Sequence, residues 1–122
     1  MNIAFDFDGV LNRRPDVFQS LIKGTSPSDE LYIITGRGEN EREGLLSELK
    51  GLGYDEKRFN TIYLFPEETK NKSHQLDFMF RIFFWKAQIC KKHNIDILFE
   101  DNVTILNAIK TESPKTLVSL VI

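Results

Sequence analysis

Residues 2–11 read NIAFDFDGVL. The apolar run Ile3-Ala4-Phe5 meets Asp6, which sits between two phenylalanines, and Gly9 then breaks the pattern. Aspartate is a poor strand former, so its place in so apolar a run points to chemistry rather than to folding. The stretch predicts a strand over residues 2–7. Side chains two apart on a strand face the same side, which would aim Asp6 and Asp8 into one small space at the strand end. Two carboxylates that close repel unless a cation or a hydrogen-bond donor compensates them.

The same short apolar pattern recurs outward from this stretch. Residues 31–35 (LYIIT), 61–65 (TIYLF), 95–99 (IDILF) and 116–122 (TLVSLVI) read as further strands. Helix-compatible stretches lie between them at 16–23, 39–52 and 103–110, with a Phe-rich helix ending near His93. Residues 39–52 carry Leu45, Leu46, Leu49 and Leu52 at helical spacing, with Gly51 and Gly53 at the exit. A polar loop, 67–73, precedes the Phe-rich segment. Strands alternating with helices imply βαβ units. The expected fold is therefore α/β: a three-layer, Rossmann-like, parallel five-stranded sheet with helices on both faces. A length of 122 residues without an internal repeat or linker predicts a single domain over 1–122.

Lys plus Arg is 16 against 18 for Asp plus Glu, so no overall basic field points to nucleic acid or a membrane. The one cysteine, Cys90, excludes an intramolecular disulfide and fits a reducing compartment. Asp6 and Asp8 would spoil a secretory signal, and Arg81 interrupts an apolar stretch too short to span a bilayer. A cytoplasmic protein with no membrane partner is expected.

Ligands of parallel sheets bind beyond the carboxyl ends of the strands. There the second strand is followed by Thr35-Gly36-Arg37, a hydroxyl and backbone N–H groups ahead of a predicted helix start, where anions bind. The fourth is followed by Glu100-Asp101-Asn102, and Lys86 lies in the helix before it. Hard oxygen ligands in small number suit Mg²⁺, which keeps several waters and accepts phosphate oxygens. A carboxylate beside such a metal can attack phosphorus and form an acyl phosphate. Thr35 and Lys86 would hold the transferring group.

Asp6-Phe7-Asp8-Gly9-Val10-Leu11 resembles the first motif of the haloacid dehalogenase-like superfamily of phosphohydrolases. Ile34-Thr35-Gly36-Arg37 resembles the second, Lys86 the third and Phe99-Glu100-Asp101-Asn102 the fourth, in the family's order. The resemblance implies an enzyme, a Mg²⁺-dependent phosphomonoester hydrolase working through an aspartyl-phosphate. Asp6 would be the nucleophile. Asp8 would protonate the leaving oxygen and then activate water, its backbone carbonyl helping to bind the metal. Thr35 and Lys86 would bind phosphoryl oxygens. The metal would rest on Asp6, Asp8, Asp101 and Glu100, with Asp101 preferred over Glu100 as the direct ligand. Gly36, Arg37 and Arg14 are expected to bind substrate, although Arg13, Arg14 and Arg37 also read as a solvated basic surface.

Family members often carry a cap domain. Residues 10–34 and 66–75 are too few to supply one, so a capless, open site is expected. Such a site favours a nucleotide, a nucleic-acid end or another large phosphorylated substrate, or a partner subunit acting as lid. Shorter similarities run to polynucleotide kinase–phosphatases (Phe83-Phe84-Trp85-Lys86 with Arg13-Arg14) and to small nucleotidase-like members (86–90 and 95–101).

Two other functions compete. A receiver-like signalling domain would carry its phosphoacceptor Asp after the third strand, where this chain has Leu64-Phe65-Pro66. A non-catalytic phosphate-binding domain is the other. Phe78, Met79, Phe80, Ile82, Phe83, Phe84 and Trp85 exceed what one helix face needs, and read as core, as a contact between copies of the chain, or as a platform for a stacked base. Cys90 reads as a small buried hydrophobe, and His74 and His93 receive no role.

Overall fold

Strand β1 (Asn2–Phe5) forms because Ile3, Ala4 and Phe5 can be buried on both sides of a sheet, and the latter two are fully buried. The computed structural model describes residues 1–66 and 75–122, with only the backbone described for 75–78. The expected loop 67–73, with Lys72, and His74 lie outside the described residues, as does the side chain of Phe78.

Around β1 stand β2 (Glu30–Gly38), β3 (Thr61–Phe65), β4 (Ile97–Glu100) and β5 (Leu117–Leu120). Their order is β3-β2-β1-β4-β5 and every pairing is parallel. Phe5 lies in register with Ile33 on one side and Phe99 on the other. The period of two along the strands sorts side chains between two cores. Phe5, Leu31 and Ile33 pack with Phe18, Leu45 and Leu49, from helices α1 (Pro15–Lys23) and α2 (Arg42–Gly51). Ala4, Tyr32, Ile34 and Leu98 pack with Phe83, Ala87, Cys90, Ile105 and Ile109, from α3 (Gln75–Lys92) and α4 (Ile105–Glu112). The expected three-layer α/β sheet, with helices on both faces, is therefore present.

The chain winds outward from β1 through β2 to β3, and α3 then carries it back across the sheet to β4. The strand order thus reverses between β1 and β4, the topological switch point at which open α/β sheets bind ligands.

Several boundaries differ from expectation for local reasons. β1 stops at Phe5, because Asp6 turns its carboxylate back to cap the Phe7 N–H at 2.8 Å and residues Phe7–Leu11 then coil into a single wide turn. β2 runs past Gly36 to Gly38, with a register shift against β3 between Thr35 and Gly38. Residues 39–52 divide into a 3₁₀ turn, Glu39–Glu41, and α2. β4 begins at Ile97, since the Ile95 N–H donates to the Cys90 carbonyl at the end of α3 instead of joining the sheet.

The Phe-rich helix is mixed in burial. Ile82 and Phe83 are buried, whereas Phe80 and Phe84 are exposed and border, with Trp85, a cavity of about 710 Å³. Among the described residues, no helix is long and apolar enough to cross a membrane.

Candidate active site

Beyond the carboxyl ends of β1, β2 and β4 lies a cavity of about 420 Å³. Asp6, Asp8, Thr35, Gly36, Arg37, Lys86, Glu100 and Asp101 all line it. Of the site residues expected from sequence only Arg14 does not. It stands exposed at the entry to α1, and its backbone N–H donates to the Val10 carbonyl at 3.2 Å.

The innermost group is an ion cluster. Asp6 follows β1, Glu100 ends β4, and Lys86 reaches between them from α3. Lys86 Nζ donates to Glu100 Oε2 at 2.8 Å and pairs with Asp6 Oδ2 at 3.2 Å. All three side chains are buried, with Lys86 only 3% exposed. Burial alone would lower the Lys86 pKa, but Asp6 and Glu100 together hold it above the ordinary lysine value. One ammonium cannot offset two carboxylates, and burial keeps Glu100 above the ordinary carboxylate range even so. Glu100 Oε1 accepts the backbone N–H groups of Asp101 and Asn102 at 3.2 and 3.4 Å. Its oxygens are thus engaged by Lys86 and by its own loop.

Asp101 is exposed at the cavity, and partial burial together with a hydrogen bond to Glu100 raises its pKa. Its position depends on Gly9, whose φ of +78° disfavours any side chain. A Cβ at residue 9 would lie 2.1 Å from Asp101 Oδ2. The loops after β1 and β4 therefore nest through the missing side chain. Thr35, at the end of the in-register part of β2, is buried, and its Oγ1 accepts the Arg37 N–H at 3.2 Å. Gly36 is tight as well: a Cβ there would meet Ile82 at 3.2 Å.

Asp8 is partnered differently from Asp6. It shares the cavity with Asp6, as expected, but beyond the end of β1 its side chain is 53% exposed. Arg37 clasps it, Nε donating to Oδ2 at 2.9 Å and Nη2 to Oδ1 at 2.8 Å, while Asn12 Nδ2 donates to Oδ1 at 3.1 Å. Arg37 also pairs with Glu48 on α2 at 2.9 Å and lies 4.8 Å over the Phe7 ring. The hydrogen bonds to Asp8 raise its pKa further above an already high arginine value. Arg37 lies just ahead of the 3₁₀ turn that starts at Glu39, as expected, while α2 itself begins at Arg42.

Four further residues shape the site: Asn12, Glu41 at the rim, Glu48 and the apolar wall of Ile82. Asn12 had a local signal, an amide at helical spacing from Asp8. Glu48 reads in sequence as one more solvated helix acid, and only the reach of Arg37 from β2 gives it a partner.

Asp6, Glu100 and Asp101 each offer a carboxylate oxygen, and these lie within 4.8 Å of one another. Three carboxylates facing a single buried ammonium leave net negative charge, so the cluster could hold a metal ion, with Glu100 already engaged by Lys86 and its own loop. Cys90 and His93 stand apart from this chemistry. Burial pushes the Cys90 thiol up to about 12, and His93 pairs with the Tyr63 hydroxyl at 2.7 Å. In comparisons with known proteins, no family model, no curated protein and no solved structure matches the chain.

Proposed function

We propose that the chain is a capless phosphomonoester hydrolase of the haloacid dehalogenase-like type, using Mg²⁺ and an aspartyl-phosphate on Asp6. The observation that carries the reading is the meeting of Asp6, Thr35, Lys86, Glu100 and Asp101 in one cavity at the switch point of the sheet. Phosphate hydrolysis asks for these groups together: a nucleophile, a hydroxyl and a cation for the phosphoryl oxygens, and acids for a metal.

In the first step an Asp6 oxygen bonds to phosphorus while the bond to the leaving oxygen breaks. Asp8, protonated, gives its proton to that oxygen. In the second step Asp8 takes a proton from water, the water oxygen bonds to phosphorus, and the bond to Asp6 breaks to restore the carboxylate. Thr35 and the Gly36 backbone receive phosphoryl oxygens, and Lys86 balances the charge of the Asp6 side. Asp6 and Asp101, with Glu100 and Asp8 beside them, would hold Mg²⁺, which would supply neutralisation of phosphate charge. Arg37 enters this scheme as the partner of Asp8 rather than as a substrate ligand.

The open cavity suits a nucleotide, a nucleic-acid end or another large phosphate ester, and the single buried thiol fits a cytoplasmic setting. Phe80 and Phe84 form an apolar ridge on α3 where self-association through the Phe-rich segment would occur. The clasp on Asp8 favours one alternative, a regulatory domain that binds phosphate without turning it over.

Phosphate release with and without Mg²⁺ decides between them. The substrates are nucleoside monophosphates, 3′- and 5′-phosphorylated oligonucleotides, sugar phosphates and a phosphopeptide. Release by the wild type and none by Asp6→Asn is expected. Binding without release favours the regulatory alternative, and equal release by the variant ends the enzyme reading.

A further inference from the structure

Asp8 and Asp6 border the same cavity, yet their carboxylates have different partners. Asp6 is turned inward to Lys86 and the Phe7 N–H. Asp8 is half exposed, and both of its oxygens are engaged by the Arg37 fork. A carboxylate whose two oxygens are both taken by one guanidinium has neither of them free to meet a leaving oxygen beside Asp6. Arg37 is itself pinned. Its Nη2 reaches Asp8 and Glu48 together, and its guanidinium rests over the Phe7 ring. Phe7 is fully buried, so this seat is fixed. Asp8 and Glu48, by contrast, are about half exposed, at 53% and 50%, so the bonds to them can exchange with water or another anion.

We infer that Arg37 and Glu48 are positioning residues that hold Asp8 by both of its oxygens, and that release of Asp8 from this clasp precedes its part in the reaction. The inference rests on the phosphatase reading. Glu48 orients Arg37 and acts on Asp8 only through it. The clasp lowers the fraction of molecules ready to react, so loosening it raises kcat.

The test is steady-state phosphate release with Mg²⁺ by the wild type, Asp6→Asn, Arg37→Gln, Glu48→Gln and the Arg37→Gln/Glu48→Gln double variant. Loss of a bidentate, half-exposed ion pair should raise kcat about three- to ten-fold in Arg37→Gln, with a smaller rise in Glu48→Gln. The double variant should match Arg37→Gln alone, because a residue acting through another has no effect without it. Added salt should raise kcat of the wild type but not of Arg37→Gln. A crystal structure with Mg²⁺ and fluoroberyllate, a mimic of the phosphorylated aspartate, should have Asp8 turned to Asp6 and Arg37 still on Glu48.

A fall of kcat in Arg37→Gln, additive single effects, or Asp8 still on Arg37 in the adduct overturns the clasp while leaving the phosphatase reading intact. A wild type that releases no phosphate, or releases no more than Asp6→Asn, overturns that reading and the clasp with it.

Discussion

Two ion clusters stand side by side at the carboxyl end of the sheet, built from the same kinds of groups and differing in water. In the inner one Lys86 serves Asp6 and Glu100 where no side chain is more than 8% exposed. In the outer one Arg37 serves Asp8 and Glu48, each about half exposed. An ammonium in a dry site cannot leave without stranding two charges, whereas an exposed pair is traded against solvent at little cost. The inner cluster is thus fixed scaffolding for the cavity, and the outer one is free to change partners.

The sharpest way to break this contrast is to remove each cation. Lys86→Met leaves Asp6 and Glu100 buried and uncompensated, and should destabilise the protein by about 3–5 kcal/mol in urea unfolding. A loss below about 1 kcal/mol would mean that the inner cluster is wet. Gly9→Ala comes next. The left-handed φ and the clash with Asp101 should lower stability by about 1–3 kcal/mol, seen as a shifted urea midpoint.

Mg²⁺ sharpens the contrast from the ligand side. At ten times its Kd the metal should stabilise the folded protein by about 1.4 kcal/mol, measured as a rise in Tm, and Asp101→Asn should abolish the rise. An equal rise in the variant would move the metal elsewhere. The smallest effect belongs to the outer cluster. Arg37→Met should cost no more than about 1 kcal/mol, and less still in high salt. A cost equal to that of Lys86→Met would erase the distinction between the clusters.

Sequence carried the fold well and the site unevenly, for separable reasons. Strand cores such as 31–35 and 61–65 are short, β-branched or aromatic, and buried on both faces, so pattern alone locates them. Asp6, Thr35, Lys86 and Asp101 were legible because each stands at a strand end or on a helix facing one. Asp8 was placed beside the right cavity, but its partners Arg37 and Asn12 could not be read, since β1 ends at Phe5 and period-two reasoning stops there. The partners of Arg37 were not legible, because β2 runs on to Gly38 and its side chain meets Asp8 and, on α2, Glu48. Glu48 was invisible, as its partner lies on another element and no local spacing announces it.

The nesting of Asp101 against Gly9 also has a kinetic side. The acids that share Lys86 come from opposite ends of the chain, and they meet only when β4 pairs with β1, Ile97 beside Ile3. Closing so long a loop is slow and comes late in folding. A refolding chain therefore has no complete Asp6–Lys86–Glu100 cluster, and so no place for the proposed metal, until its second half has docked. Mg²⁺ would then act chiefly as a brake on unfolding and hardly as an accelerator of folding.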